Sequence, residues 1–375
     1  MTAVEDFTLG VEEEFFLVDP ETRRLVPAAA DVLPGARALA GGDDEVQPEL
    51  LQAQIEVGTN VCHTLGEVRD ELERLRGVVA EAASEVGCAI ASMGSHPFAP
   101  DEGSPVVPRP AYLHLEREYR LVTHEQLVCG CHVHVGVADP EIAIQVVNAA
   151  RPWLPVLLAV SANSPFWRGR DTGYASFRSE VWQRWPTSGP PGPFASRAEY
   201  DQLVRDLLAI EAIDDPARIY WDIRPSARFD TVELRVGDAN LTVDDTVMFA
   251  ALVRALVRTA HRRVSDGRQR PPTPPRTELL RAATWRAARY GLDGTLIDLA
   301  NCRSRPAPQV VRWFMELLRP ALEEAGEWDE VDAHVRRLLD GGTGAARQRH
   351  AYSRRGRLED VVDFALAETV PATAR

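Results

Sequence analysis

The chain has 375 residues, 45% hydrophobic and 26% charged, which is enough apolar material for a large buried core and rules out disorder as the default. Its formal charge of −14 comes from 42 basic and 56 acidic residues, and the basic ones are scattered, so no nucleic-acid or anionic-membrane footprint is present and small molecules are the expected partners. All 42 basic residues are arginine, since the sequence contains no lysine; a Walker A loop and a Schiff-base enzyme are thereby excluded, and any bound ATP would have to be held by arginine and metal ions.

The amino terminus, MTAVEDFTLG, lacks a basic n-region and an apolar h-region, and the most apolar stretch, around Trp153 to Val160, carries Pro152 and Pro155. The five cysteines, Cys62, Cys88, Cys129, Cys131 and Cys302, are an odd number in a long chain and read as reduced thiols. A cytoplasmic protein is expected, with homo-oligomerisation left open.

Phe7 to Val18 alternates Phe7, Leu9, Val11, Phe15 and Leu17 against Thr8, Gly10, Glu12, Glu14 and Phe16, the period of a strand that ends at Asp19-Pro20. A second strand is expected across Leu51 to Val57. Thr64 to Glu67 forms a capping box for a helix with Leu65, Val68, Leu72, Leu75, Val79 and Val86 on one face. Val128 to Val137 alternates again, and Asp139-Pro140 starts the next helix. Ser161 to Phe194, rich in Gly, Pro, Trp and Arg, reads as an ordered functional loop. Ser196 to Glu199 caps a helix, Trp221 to Val236 holds one or two strands, and Thr242 to Asp245 caps a long apolar helix through Ala260.

The proline-rich run at 268–276 is the best internal boundary candidate, followed over 277–375 by helical patterns alone, within what otherwise reads as one catalytic domain spanning 1–375. Early strands and long helices without strict alternation predict an α+β fold with a mainly antiparallel sheet, flanking helices and a helical C-terminal third.

Four segments carry chemistry. Glu12 and Glu14 project from one strand face while Glu13 points the other way; two like charges there need a cation, and carboxylate oxygens suit Mg²⁺ or Mn²⁺. In Gln52 to Val57 the polar face carries Gln52, Gln54 and Glu56. Cys129-Gly130-Cys131-His132-Val133-His134 has the spacing of a zinc site, but strand geometry puts Cys129 and Cys131 opposite His132 and His134, which makes the cysteines core and the histidines site candidates. In Thr231 to Asp238, Glu233 and Arg235 share a face, a carboxylate for a metal ion beside a guanidinium for phosphate oxygens. Taken singly, each segment also fits a solvated face, a satisfied core histidine or a simple salt bridge. Together they describe a polar wall able to hold divalent ions against a triphosphate. The aromatic loop from Asn163 to Trp182 adds Arg178 as a grip for a substrate carboxylate.

In this order, Gly10-Val11-Glu12-Glu13-Glu14-Phe15, Gln54-Ile55-Glu56, Gly130 to Gly136, Phe166 to Trp182 and Thr231 to Arg235 resemble the glutamate–cysteine ligases, in particular the bacterial type 2 branch of carboxylate–amine ligases. The resemblance implies a curved antiparallel sheet related to the glutamine synthetase catalytic domain, binding ATP and metal ions on its concave face. It implies metal ligation by Glu12, Glu14, Glu56 and Glu233 and by His132 or His134. It further implies catalytic roles for Glu14, Glu233 and Arg235, phosphate contact by Arg235, and substrate contact by Arg178 and Trp182.

The expected reaction joins the side-chain carboxylate of glutamate to the amine of cysteine through an acyl phosphate, consuming ATP. The alternatives are the same chemistry on another acid or amine, a zinc hydrolase, and a non-catalytic binding protein.

Overall fold

Alternation of apolar and polar side chains from Leu9 onward produces β1 (Leu9–Val18) in the computed structural model, which describes residues 6–42, 44–266 and 274–370. The further strands are β2 (Val46–Pro48), β3 (Gln54–Gly58), β4 (Ala89–Ala91), β5 (Gly130–Gly136), β6 (Phe166–Trp167), β7 (Arg170–Asp171), β8 (Ile223–Pro225), β9 (Thr231–Asp238), β10 (Thr295–Asp298) and β11 (Arg303–Pro306). The helices are α1 (Ala29–Ala40), α2 (Leu65–Glu85), α3 (Pro110–Tyr119), α4 (Leu121–His124), α5 (Pro140–Ala150), α6 (Leu154–Ser161), α7 (Phe177–Trp182), α8 (Arg197–Ala209), α9 (Val243–Ser265), α10 (Thr277–Tyr290), α11 (Ala307–Glu324), α12 (Trp328–Gly341), α13 (Gly344–Ser353) and α14 (Leu358–Thr369).

Seven strands form one antiparallel sheet in the order β2-β3-β1-β5-β9-β8, with β4 paired to the end of β1. The fold is α+β, as the sequence predicts. The β5–β9 register shifts between Cys131 and Val133, a bulge of the kind that increases the local twist of an antiparallel sheet.

The period of two sorts the side chains between faces. Leu9 and Val11 of β1, Cys131, Val133 and Val135 of β5, and Val232, Leu234 and Val236 of β9 pack into one cluster with α5, α6 and α9. Phe15, Leu17, Ile55 and Val57 pack against α1 and α2. Truncating one of these, as in Leu234→Ala, costs about 2–5 kcal/mol through lost transfer energy and the cavity left behind.

The predicted caps form. Thr64 Oγ1 accepts from Glu67 N at 3.1 Å, Asp139 Oδ1 from Glu141 N at 2.8 Å, and Ser196 Oγ from Glu199 N at 3.2 Å, while Thr242 and Asp245 make a reciprocal box. Each such cap contributes about 1 kcal/mol.

Some boundaries differ from expectation. Phe7 has φ 41°, so the chain enters β1 only at Leu9. Leu51 to Ala53 turn before β3 begins at Gln54, and Val86 lies past the end of α2 and is exposed. The loop over 161–194 is ordered and includes β6, β7 and α7. The expectation of helices alone after 277 fails at the β10–β11 hairpin, whose four-residue strands are too short to register as a period. The boundary candidate at 268–276 lies outside the described residues as far as position 273.

Pro140–Ser161 is long and apolar enough to cross a membrane, but it is broken between α5 and α6 and mostly buried as core.

The C-terminal helices reach the aromatic loop. On α13, the buried Gln348 amide donates to Asn163 O at 2.9 Å and Asn163 Oδ1 at 2.7 Å. Arg349 forks onto Asp171 at 2.9 and 2.7 Å and donates to Tyr174 O at 2.8 Å. The loop is therefore held from behind by helices distant in sequence.

Candidate active site

β1 lies between β3 and β5, and its register sets the polar face: Glu14 stands opposite Glu56, Glu12 opposite His132, and on the next pair His134 opposite Glu233. The predicted residues from four strands thus meet on one surface. Two groups form that could each hold a cation, Glu12 with Glu56 and His132, and Glu12 with His134 and Glu233, each offering ligand atoms within 4.8 Å of one another. Glu12 belongs to both. Each group contains one of the two histidines between which the sequence does not choose.

Glu12 Oε2 is 3.0 Å from His132 Nδ1, and Glu12 Oε1 is 3.3 Å from His134 Nε2. His134 Nδ1 is 3.0 Å from Thr231 Oγ1, which fixes its ring. Burial alone would raise the Glu12 carboxyl, but hydrogen bonds and charge from the two histidines hold it well below the usual range. Burial and Arg235 push His132 down, whereas contact with Glu12 and the charge of Glu233 outweigh burial and raise His134. Glu14 sits outside both groups: its Oε2 accepts from Gly130 N at 2.7 Å and its Oε1 is 3.7 Å from His132 Nε2.

Glu56 is pushed well up by burial and by Glu12, Glu49 and Glu14. Glu49, which the sequence reading missed, is pushed up to about 8 by burial and by Glu14, so it belongs to the same acid cluster. It sits in the irregular segment after β2, where no period marks it. More carboxylates meet on this face than the arginines neutralise, burial and mutual repulsion push Glu49 and Glu56 up, and a divalent cation would relieve that repulsion. Carboxylate oxygens with one imidazole in each group fit Mn²⁺ well, and Mg²⁺ through the oxygens.

Glu233 is neutralised differently. Arg224 Nε and Nη2 reach it at 2.7 and 3.2 Å and Arg235 Nη1 also pairs with it, which outweighs burial and holds its carboxyl low. Arg224, also missed from sequence, spends its remaining donors on the carbonyls of Ala217 and Ile219 at 2.7 and 2.5 Å. Arg235 is less committed, for its buried Nε has no hydrogen-bond partner.

Arg178 on α7 is buried beside Arg235, donating to Arg235 O at 3.3 Å, while its Nε has no partner. Gly130 makes room for it: a Cβ there would stand 2.3 Å from Arg178 Nη2. Ser164 Oγ accepts from Arg178 N at 3.0 Å and in turn donates to Asp238 Oδ2 at 2.6 Å, so a buried acid sets the start of α7. The Trp182 ring lies beside both guanidiniums, 5.4 Å from Arg178 and 5.5 Å from Arg235, and its Nε1 donates to Tyr220 O at 3.1 Å.

Cys131 packs in the core cluster behind β5, whereas Cys129, just before β5, lies in a separate cluster with its Sγ 3.4 Å from Gln54 Nε2, so the expected shared face does not extend to Cys129. Burial raises both thiols well above their usual range, and all five cysteines are free. Neither cation-binding group includes a cysteine, which removes the geometric basis of a zinc reading built on all four residues.

The antiparallel sheet with its flanking helices is the fold of solved glutamate–cysteine ligases. Over 99% of this chain and 91% of its own, a glutamate–cysteine ligase from Francisella tularensis in complex with AMP superposes with a TM-score of 0.75 at 13% identity. A bifunctional glutathione synthetase from Pasteurella multocida superposes with a TM-score of 0.71 at 16% identity, over 98% of this chain and 52% of its own. The chain belongs to glutamate-cysteine ligase family 2 (GCS2), whose family model matches residues 8–363. A Frankia alni relative, provisionally named glutamate–cysteine ligase 2-2, is 46% identical over 96% of this chain and 97% of its own length. A Frankia casuarinae relative with the same provisional name is also 46% identical over 96% of this chain, but the chain spans only 41% of that protein.

Proposed function

We propose that the protein is an ATP-dependent ligase that activates the side-chain carboxylate of glutamate as an acyl phosphate and couples it to the amine of cysteine. The observation that carries this reading is the pair of three-residue ligand groups sharing Glu12, placed beside an arginine whose buried Nε is unpaired. Family membership supports the ligase class, and the Francisella tularensis protein's complex with AMP supports an adenine nucleotide as ligand.

Glu12, Glu56, His132, His134 and Glu233 would hold the metal ions, with Glu14 and Glu49 completing the acid cluster. Bound Mg²⁺ or Mn²⁺ would supply charge neutralisation for the phosphates. Arg235 would take a phosphate oxygen through its free Nε, and Arg178 would grip the substrate α-carboxylate with Trp182 as a wall. The protein's contribution is then alignment of carboxylate oxygen and γ-phosphorus together with electrostatic stabilisation. The five free thiols accord with a reducing, cytoplasmic setting.

The same chemistry on another amine or acid is the nearest alternative, because the ligand groups constrain the phosphate side and leave the amine open. ADP release with ATP, Mg²⁺ and glutamate, first alone, then with cysteine, then with a panel of amines, tests both. A γ-glutamylcysteine mass is expected; turnover only with another amine would replace the substrate, and no turnover with any pair would refute the ligase.

A further inference from the structure

Asp222 lies on the same wall but outside both ligand groups. Ile223 pairs with Leu234 and Arg224 with Glu233, which places Asp222 opposite Arg235, whose N–H donates to Asp222 O at 2.8 Å. Its carboxylate lies close enough to the guanidiniums of Arg178 and Arg235 to feel the charge of both. Its own N–H donates to Gly189 O at 3.0 Å, and Tyr220, two residues earlier, accepts from Trp182. The carboxylate is thus fixed between the loop bearing Arg178 and the strand bearing Arg235.

Asp222 is only 6% exposed, yet among the described residues it makes no ion pair and no side-chain hydrogen bond. Its charged neighbours are Arg178 from α7 and Arg235 from β9; burial overrides both and pushes it up to about 7. A carboxylate held there exchanges a proton readily near neutral pH. The α-amine of a free amino acid, whose pKa lies above the about 7.7–8.0 of a peptide amino terminus, is ammonium at neutral pH and has no lone pair to offer.

We propose that Asp222 is the catalytic base of the amine step, receiving a proton from the substrate ammonium. This rests on the ligase reading above. The freed nitrogen lone pair attacks the acyl carbon and forms the C–N bond; the C–O bond to phosphate breaks and its electron pair leaves on phosphate. Of the two protons the nitrogen loses in becoming an amide, the first goes to Asp222 and the second to the departing phosphate.

Hydroxylamine separates this role from a structural one, since it is uncharged at neutral pH and needs no base to attack an acyl phosphate. With ATP, Mg²⁺ and glutamate, Asp222→Asn is expected to lose about 100-fold or more in turnover with the amine the wild type uses. Hydroxamate formation should persist, the amine deficit should shrink as pH rises through the amine's own pKa, and Asp222→Glu should restore part of it. Equal loss with both nucleophiles would make Asp222 structural, and no loss with either would refute the base. Failure of the wild type to form hydroxamate at all would instead remove the ligase reading.

Discussion

Glu13 and its neighbours Glu12 and Glu14 occupy opposite sides of β1 and meet opposite fates. Glu13 is wholly buried against Arg76, whose Nε and Nη2 reach it at 2.9 and 2.5 Å; Thr246 donates to it at 2.5 Å, and Arg76 spends its other donors on the carbonyls of Leu241, Asn240 and Thr369. Both charges of this pair are fully partnered. On the other side Glu12, Glu14, Glu49 and Glu56 crowd together, and burial with mutual repulsion pushes the carboxyls of Glu49 and Glu56 up. Matched buried charge holds a structure together, whereas mismatched buried charge waits for a ligand.

The sharpest way to break this comparison is Glu12→Gln, which strips a ligand from both cation groups. ADP release should fall at least about 1,000-fold, equivalent to about 4 kcal/mol of transition-state stabilisation. The metal-free melting temperature should not fall, and near-normal turnover would refute the assignment.

On the matched side, Arg76→Met should destabilise by about 3–5 kcal/mol in urea unfolding, because Glu13 is left buried and unpaired. Adding Glu13→Leu should recover much of that loss. If the single variant is as stable as wild type, the contrast between the faces is wrong.

A subtler effect is pH dependence. Glu49 and Glu56 have raised pKa values in the folded protein, so folding takes up protons, and their contribution is fully present below the unfolded carboxyl pKa and lost as pH rises through about 8 for Glu49. Metal-free melting temperature should therefore decline from about pH 5 to about pH 8, and saturating Mn²⁺ should flatten the decline. An unchanged slope with Mn²⁺ would mean the ion binds elsewhere.

The smallest effect expected is from Arg349→Ala. Its partly exposed pair with Asp171 should be worth under about 1 kcal/mol of stability, and its loss should appear mainly as a raised KM for the carboxylate substrate.

The site was legible wherever a strand period ran long enough. Glu12, Glu14, His132, His134, Glu233 and Arg235 could be placed on one face because β1, β5 and β9 alternate over seven to ten residues. Glu49, Arg224 and Asp222 were not, since they lie in or beside three-residue strands where two positions define no period. The α13 contacts were equally hidden, for a helix pattern says which face is buried and not which loop it will meet.

Asn163 and Gln348 are 185 residues apart. At synthesis rates of 5–20 residues per second, roughly 9–37 s pass between making the loop and making the residue that grips it. A nascent chain would already contain both candidate cation groups and Arg178 while the Arg178 loop still lacked its support from α13. The loop that carries Arg178 would then reach its final support only after Gln348 had been made.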